Sequence, residues 1–247
     1  MTVRLFRFFC SFVMIFSQEK NLEEINVKQK ALRRVILGSA FLILFAVYTW
    51  SLTVFDVRPI GPNHSCVGYA SLNGAVRDAS GVCLPLYVFT DWAGVAVILV
   101  MICFALLGLS QWIRRKRLFK VDSDLLLLGA FYLFVLAVFL LFEDCVVNYR
   151  PVLIDGNSEA SYPSSTTMLS LCVLPTAMMQ VNRRMKDGAY KWLLLLLLAL
   201  FCLSLAVLRF LSGVHWLTDI IGGMLFSVSA VLLYAGADGF LKKREEK

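Results

Sequence analysis

A chain of 247 residues that is 59% apolar, only 17% charged and has a mean hydropathy of +0.75 carries more apolar side chain than a soluble globule uses, about 45–50%, and fewer charges than its usual ~25%. The excess must face something other than water. These figures argue against disorder, a disulfide-rich secreted module and a soluble nucleic-acid binder, and the formal charge of +7 is first to be read as topology, because Lys and Arg gather on the cytoplasmic side of membrane proteins.

In chain order, Leu5 to Phe16 is apolar but short, carries Arg7 and runs into Ser17, Gln18, Glu19 and Lys20 without a small-residue cleavage site. It is expected to lie on the membrane as an interfacial arm. Val35 to Val54, Trp92 to Leu109, Leu125 to Phe142 and Trp192 to Leu208 each approach the roughly 20 residues that cross a bilayer core of about 30 Å. Two blocks are more polar. Ser165 to Val181 contains Pro175 and several hydroxyls, and Asp219 to Ala237 begins with a carboxylate and includes Gly222 and Gly223. Small and polar residues in a span face other helices rather than lipid, so both are expected inside the bundle.

Six spans place the first 34 residues, 111–124, 182–191 and the C-terminal tail on one side, with 20 of the 24 Lys and Arg. That side is predicted to be cytoplasmic. The other holds Arg58, Arg77, Arg150 and Arg209. The expected fold is therefore all-α, a polytopic six-transmembrane-helix bundle with both termini cytoplasmic. An arm over 1–34, a membrane domain over 35–237 and a basic tail over 238–247 divide the chain. The long outer loop Phe55 to Asp91 contains Cys66 and Cys83, and the sequence leaves open whether they form a disulfide or stay as two thiols. Cys10, Cys103, Cys145, Cys172 and Cys202 read as packing residues. With two histidines and no C-x-x-C pair, a zinc site has almost no ligands to use, and no metal or cofactor is expected.

Three separated segments converge on the outer face. They are Asn148-Tyr149-Arg150-Pro151, then Tyr162-Pro163-Ser164-Ser165-Thr166, then Arg209, His215 and Asp219. Arg150 and Arg209 are permanently charged forks suited to phosphate oxygens, and the helices starting near Ser165 and Asp219 would present their N-termini to an anion. His215 and Asp219, four apart, are expected on one helix face within contact range. A carboxylate bonded to one ring nitrogen would leave the other as a nucleophile or base.

The order Arg-Pro, Pro-Ser-Ser, Arg-x5-His-x3-Asp resembles the type 2 phosphatidic acid phosphatase superfamily of membrane lipid phosphatases. The resemblance covers roughly Val35 to Ala237. It implies a six-span core, His215 as the nucleophile that forms a phosphohistidine, Asp219 as its orienting partner, and Arg150, Arg209 and the backbone of Ser164 and Ser165 as the phosphate clamp. No metal is required in such a scheme. Against the family pattern, Glu143 replaces a Lys, Ser165 a Gly, Leu208 a Ser and Thr166 a His. The missing His protonates the leaving group in the family, and a general acid is worth about 10²–10⁴-fold. The expected enzyme hydrolyses a phosphate or diphosphate from a lipid, and since a phosphate leaving from a diphosphate needs that proton least, it is expected to prefer lipid diphosphates such as a polyprenyl diphosphate (undecaprenyl diphosphate is one) over lipid monophosphates. His64 and Glu143 are auxiliary acid candidates. The competing reading is a catalytically impaired, phosphatase-like protein that binds or regulates lipid. Transport is disfavoured because the ionisable residues sit at the ends of the spans rather than near the midplane. The expected partners are a phosphorylated lipid and the bilayer, at the extracytoplasmic face of the cell membrane.

Overall fold

The computed structural model describes the backbone of residues 2–245 and the side chains of residues 26–241. The arm expected over Leu5 to Phe16, Cys10 and the tail beyond Leu241 lie outside the described side chains. Seven helices of at least eleven residues follow in order: α1 (Thr2–Ser51), α2 (Ala70–Ser80), α3 (Leu84–Arg115), α4 (Ser123–Asp144), α5 (Ser165–Arg184), α6 (Ala189–Leu211) and α7 (Leu217–Glu245). Among the described residues β-pairing is limited to isolated bridges such as Tyr149 with Ala160.

Local chemistry sets these boundaries. Pro85 stands in the first turn of α3, where its missing N–H has no intrahelical acceptor to lose, and Arg114 and Arg115 close the same helix against its negative end. The turn into α4 is held by Gln111. Its Nε2 donates to Asp122 Oδ2 at 2.7 Å and its Oε1 accepts the Asp122 N–H at 3.0 Å.

Five helical segments are long and apolar enough to cross a membrane: Asn26–Ser51, Leu84–Arg115, Ser123–Asp144, Ala189–Leu211 and Leu217–Leu241. The sixth expected block is the exception. It forms the 20-residue α5, but its composition falls short of a lipid-facing span. The reason lies in its surroundings: α5 touches α3, α4, α6 and α7 and buries Thr166, Thr167, Ser170, Thr176 and Gln180. A helix enclosed by protein has little contact with hydrocarbon and can carry hydroxyls on many sides.

α1 lies along α7, and this contact begins before Val35, the expected start of the first span. Ala31 is buried, and a Cβ on Gly236 would stand 2.5 Å from Val35 Cγ2 and 3.1 Å from the Ala31 carbonyl oxygen. The bare glycine lets the two backbones approach. At one end of the bundle Arg183 pairs with Asp124 at 2.8 Å and with Asp238 at 2.5 Å, while Arg184 reaches Asp124 at 2.6 Å. This cluster ties α4, α5 and α7 together. Burial pushes the Asp122 carboxyl up, but hydrogen bonds from Gln111, Arg115 and Arg184 outweigh it and hold the group below the usual carboxylate range.

The opposite end is organised by aromatic packing. Tyr162 stacks on Phe45 at 6.3 Å, Phe45 meets Phe226 at 5.5 Å, and the Tyr162 hydroxyl lies 2.7 Å from Thr49 Oγ1. Cys66 and Cys83 are both free and exposed, which answers the open question about them. Cys172 and Cys202 are buried as expected, whereas Cys103 and Cys145 are exposed and do not pack in the core.

Candidate functional site

The aromatic end is also where the polar residues meet. After α6, Ser212 Oγ donates to the Arg209 carbonyl at 2.6 Å, and the chain turns at Gly213 with φ +67°. A side chain there would be strained in conformation, and its Cβ would fall 2.0 Å from the Gly81 carbonyl oxygen. This turn delivers Val214, His215 and Trp216 before α7 starts at Leu217. Trp216 Nε1 then donates to the Tyr149 carbonyl at 2.7 Å, fastening the connector to the segment that carries Arg150.

His215 and Asp219 were expected to share a helix face, and they do not. His215 sits in the connector, while Asp219 occupies the first turn of α7 and caps it by accepting the Trp216 N–H at 2.9 Å. Nδ1 of His215 is 3.9 Å from Asp219 Oδ2, too far for a hydrogen bond. Ser161 bridges the gap. Its Oγ donates to Asp219 Oδ2 at 2.5 Å and lies 2.9 Å from His215 Nδ1, while its carbonyl oxygen is 3.1 Å from the same nitrogen. A carbonyl can only accept, so Nδ1 carries the proton and Nε2 keeps its lone pair. Nε2 is buried without a hydrogen-bond partner. Burial, followed by the nearby guanidiniums of Arg209 and Arg150, holds the imidazole well below its ordinary pKa. It is therefore neutral at pH 7. Asp219 is fully buried and also accepts from Asn148 Nδ2 at 3.2 Å.

Both arginines are buried against one ring. The Arg209 guanidinium carbon lies 4.8 Å from the Tyr87 centroid and that of Arg150 lies 5.5 Å away, a cation–π arrangement for each. Arg209 Nη1 donates to Thr90 Oγ1 at 3.2 Å and stands 3.8 Å from Asp91 Oδ1. Arg150 Nε is 3.1 Å from Glu159 Oε2, outside hydrogen-bond geometry. Arg150 Nε and Nη1 and Arg209 Nε make no hydrogen bond. Buried charged donors left unsatisfied carry a penalty that an anion would remove.

The expected clamp needs one correction. The Ser164 N–H donates to the Asp219 carbonyl at 3.1 Å, so it faces α7 and is not open to a ligand. The first-turn amides of Ser165 and its successors are the ones without an intrahelical acceptor. Two glycines of α7 make the approach possible: a Cβ on Gly222 would fall 2.3 Å from the Tyr162 ring, and one on Gly223 would fall 3.2 Å from the Ser164 carbonyl oxygen.

His215, Ser161, Ser165 and Glu143 line one small cavity together with Phe142 and Met168. Thr166 lies apart from it. It turns toward α3, lining a separate apolar groove, with its methyl near Gly94. His64 is exposed in the short turn Pro62–His64 and lines neither space. Among the described residues no three His, Cys, Asp or Glu side chains gather closely enough to hold a metal ion. The structure thus brings together Arg150, Ser165, Arg209, His215 and Asp219, with Glu143 beside them, and leaves His64 and Thr166 outside. Ser161, Tyr87 and Thr90 escaped the sequence reading. Ser161 stands just ahead of the Pro-Ser-Ser run with nothing in its type to mark it, and the spacing of Tyr87 and Thr90 on one face of α3 is common in any helix.

Comparison with known proteins bears on the family and the fold. A family model described as PAP2 superfamily matches residues 142–238. No curated protein matches the chain. A solved structure titled as the first transmembrane PAP2 type phosphatidylglycerolphosphate phosphatase from Bacillus subtilis is similar with a TM-score of 0.53 and 19% sequence identity, over 83% of this chain and 96% of that one. At that identity the likeness speaks for the fold. The matched residues 142–238 are the segment that carries Arg150, Ser165, Arg209, His215 and Asp219.

Proposed function

We propose that this protein is an integral membrane phosphatase that removes phosphate from a lipid through a phosphohistidine on His215. The observation that carries the reading is the state of that ring. Nδ1 is held by Ser161, Nε2 is buried and unpartnered, and two guanidiniums with unsatisfied donors lie alongside. Nε2 attacks phosphorus as the bond to the lipid-side oxygen breaks, and water then cleaves the N–P bond and releases phosphate. Arg150, Arg209 and the amides around Ser165 stabilise the charge on the equatorial oxygens. Asp219, acting through the Ser161 hydroxyl, stabilises the imidazolium that the attack creates.

Leaving-group chemistry narrows the substrate. Thr166 faces away from the His215 cavity, and among the described residues the acid that lines it is Glu143, a carboxyl where the family pattern has an imidazole. A phosphate leaving from a diphosphate is weakly basic, so lipid diphosphates are turned over in preference to lipid monophosphates. In this reading α5 is the sixth span, both termini are cytoplasmic, and the site opens to the extracytoplasmic leaflet of the cell membrane. A lipid-binding protein without turnover is the second reading, favoured by one observation: Glu143 places a carboxylate in the cavity of His215, where it opposes a phosphate. Labelled lipid diphosphate given to purified protein separates the two. Acid-labile label on the chain, absent in His215→Ala, supports the enzyme; binding without label or release supports the binder.

A further inference from the structure

Tyr87, Thr90 and Asp91 precede the matched residues 142–238, yet all three approach the arginines of the site. Two contacts fix the start of α3 against the end of α6. The Cys83 N–H donates to the Ser212 carbonyl at 2.9 Å, and Gly213 packs directly on the Gly81 carbonyl. Tyr87 follows Cys83 by four residues and Arg209 precedes Ser212 by three, so this seam brings the ring and the guanidinium together. Thr90 completes it. Its Oγ1 donates to the Tyr87 carbonyl at 2.9 Å, which leaves the hydroxyl lone pairs to accept from Arg209 Nη1 at 3.2 Å.

A brace is needed here because two like charges must stay together before an anion joins them. Arg150 and Arg209 are 8% and 1% exposed, and buried cations repel each other with little solvent to screen them. Each also has a competing partner. The side chain of Glu159, 41% exposed, stands 3.1 Å from Arg150 Nε, and that of Asp91, 61% exposed, stands 3.8 Å from Arg209 Nη1. A guanidinium drawn out to either carboxylate would be committed to a surface ion pair. A carboxylate in the place of Tyr87 would hold the two arginines, but it would occupy the donors that a phosphate must use. The face of an aromatic ring attracts a cation through its quadrupole and takes no N–H in a conventional hydrogen bond. The geometry matches: both guanidinium carbons lie over Tyr87, at 4.8 and 5.5 Å, while Arg150 Nε and Nη1 and Arg209 Nε make no hydrogen bond.

We propose that Tyr87 is a positioning residue of the phosphate site, whose ring holds Arg150 and Arg209 side by side with their donors free before a phosphate arrives. This inference rests on the phosphatase reading for its part in turnover and is separable from it in anion binding. Without the ring, the free protein relaxes toward Glu159 and Asp91, and only the fraction that stays poised accepts phosphate. Apparent affinity falls by that fraction, whereas saturating substrate draws the pair back together. The loss therefore appears in KM and leaves kcat nearly untouched.

The test varies the ring. Tyr87→Phe keeps it, Tyr87→Leu removes it, and mono-, di- and trifluorophenylalanine at position 87 weaken its quadrupole at nearly constant shape. The full-length protein in detergent is titrated with inorganic phosphate and assayed with farnesyl diphosphate and phosphatidic acid, with thermal midpoints as the check on folding. In Tyr87→Leu the phosphate Kd and the substrate KM are expected to rise about tenfold or more, the worth of one desolvated cation–π contact, while kcat stays within about threefold of wild type. Tyr87→Phe should restore both constants to within about threefold, and the fluorinated series should raise the Kd stepwise. A flat fluorinated series overturns the proposal, even where Tyr87→Leu fails to fold. So does a loss in Tyr87→Leu that falls on kcat with KM unchanged, the mark of a merely structural residue, or an equal loss in Tyr87→Phe, which would assign the effect to the hydroxyl. If the wild type binds phosphate but releases none from either lipid, the phosphatase reading fails and the Kd series alone decides for Tyr87. A wild type that binds no phosphate overturns both.

Discussion

Ser161→Ala isolates what the 3.9 Å gap between His215 and Asp219 means. The substitution removes the hydroxyl that donates to Asp219 Oδ2 and lies 2.9 Å from His215 Nδ1, and it leaves the Ser161 carbonyl to hold the tautomer. Asp219 drops from three hydrogen bonds to two, those from Asn148 and the Trp216 amide. A hydrogen bond to a charged group contributes about 1.5–3 kcal/mol. If that contribution is made when the imidazolium forms, kcat/KM falls about 10- to 100-fold at ~1.4 kcal/mol per decade. The assay is steady-state phosphate release in detergent together with the yield of phosphohistidine. Asp219→Asn is measured alone and combined with Ser161→Ala. Because the carboxylate acts through the serine, the double variant should be scarcely worse than Asp219→Asn, with a coupling of about 1.5 kcal/mol or more. A Ser161→Ala protein within about twofold of wild type, or strictly additive losses, would refute the relay.

Arg209→Lys keeps the charge but loses the planar fork, the stacking on Tyr87 and the bond to Thr90, and kcat should fall about 100-fold or more in the same assay, with only a small change in thermal midpoint. Glu143→Gln removes the carboxylate from the cavity of His215, and KM for a lipid monophosphate should fall several-fold, by roughly 1 kcal/mol; an unchanged KM would mean that the group does not oppose the substrate. The depressed pKa of His215 keeps the nucleophile unprotonated down to and below pH 6.5, so the acid limb of the kcat/KM profile should lie below the ordinary histidine range and move up in Arg150→Gln, which lifts part of the repulsion. The same group works against the fold in acid. Its folded pKa is below its unfolded one, so the stability present above about pH 6.5 is lost as pH falls toward the folded value, which denaturation as a function of pH would reveal. Gly222→Ala drives a Cβ to 2.3 Å from the Tyr162 ring and should cost about 1–3 kcal/mol by overpacking, read as a lower thermal midpoint and weaker phosphate release.

How far these features could be read in advance depended on where the physics was local. The lipid-facing spans announce themselves because hydrocarbon demands long apolar runs, and Arg150, Arg209, His215 and Asp219 were legible as rare polar residues at the ends of such runs. α5 was harder, since enclosure by four helices frees its composition from any such demand. The His215–Asp219 spacing misled for a related reason. Spacing of four implies contact only within a helix, and α7 begins two residues after His215, so the pair is joined by Ser161 from another segment. Ser164 shows the same limit: its place in the motif suggested an open amide, and only the packing of α7 reveals that Asp219 has taken it.

The enclosure of α5 also bears on how the protein is made. A segment so rich in hydroxyls gains little from entering hydrocarbon by itself, and its stability in the bilayer comes from partners on both sides of it in the chain. α3 and α4 precede it, but α6 and α7 emerge later from the ribosome. Insertion of α5 is therefore coupled to assembly, and a nascent chain halted before α7 would contain Arg150, Ser165 and Arg209 yet lack the helix whose glycines receive Tyr162 and Ser164. The start of α5 therefore finds its packing partners, Gly222, Gly223 and the Asp219 carbonyl, only when the last helix docks.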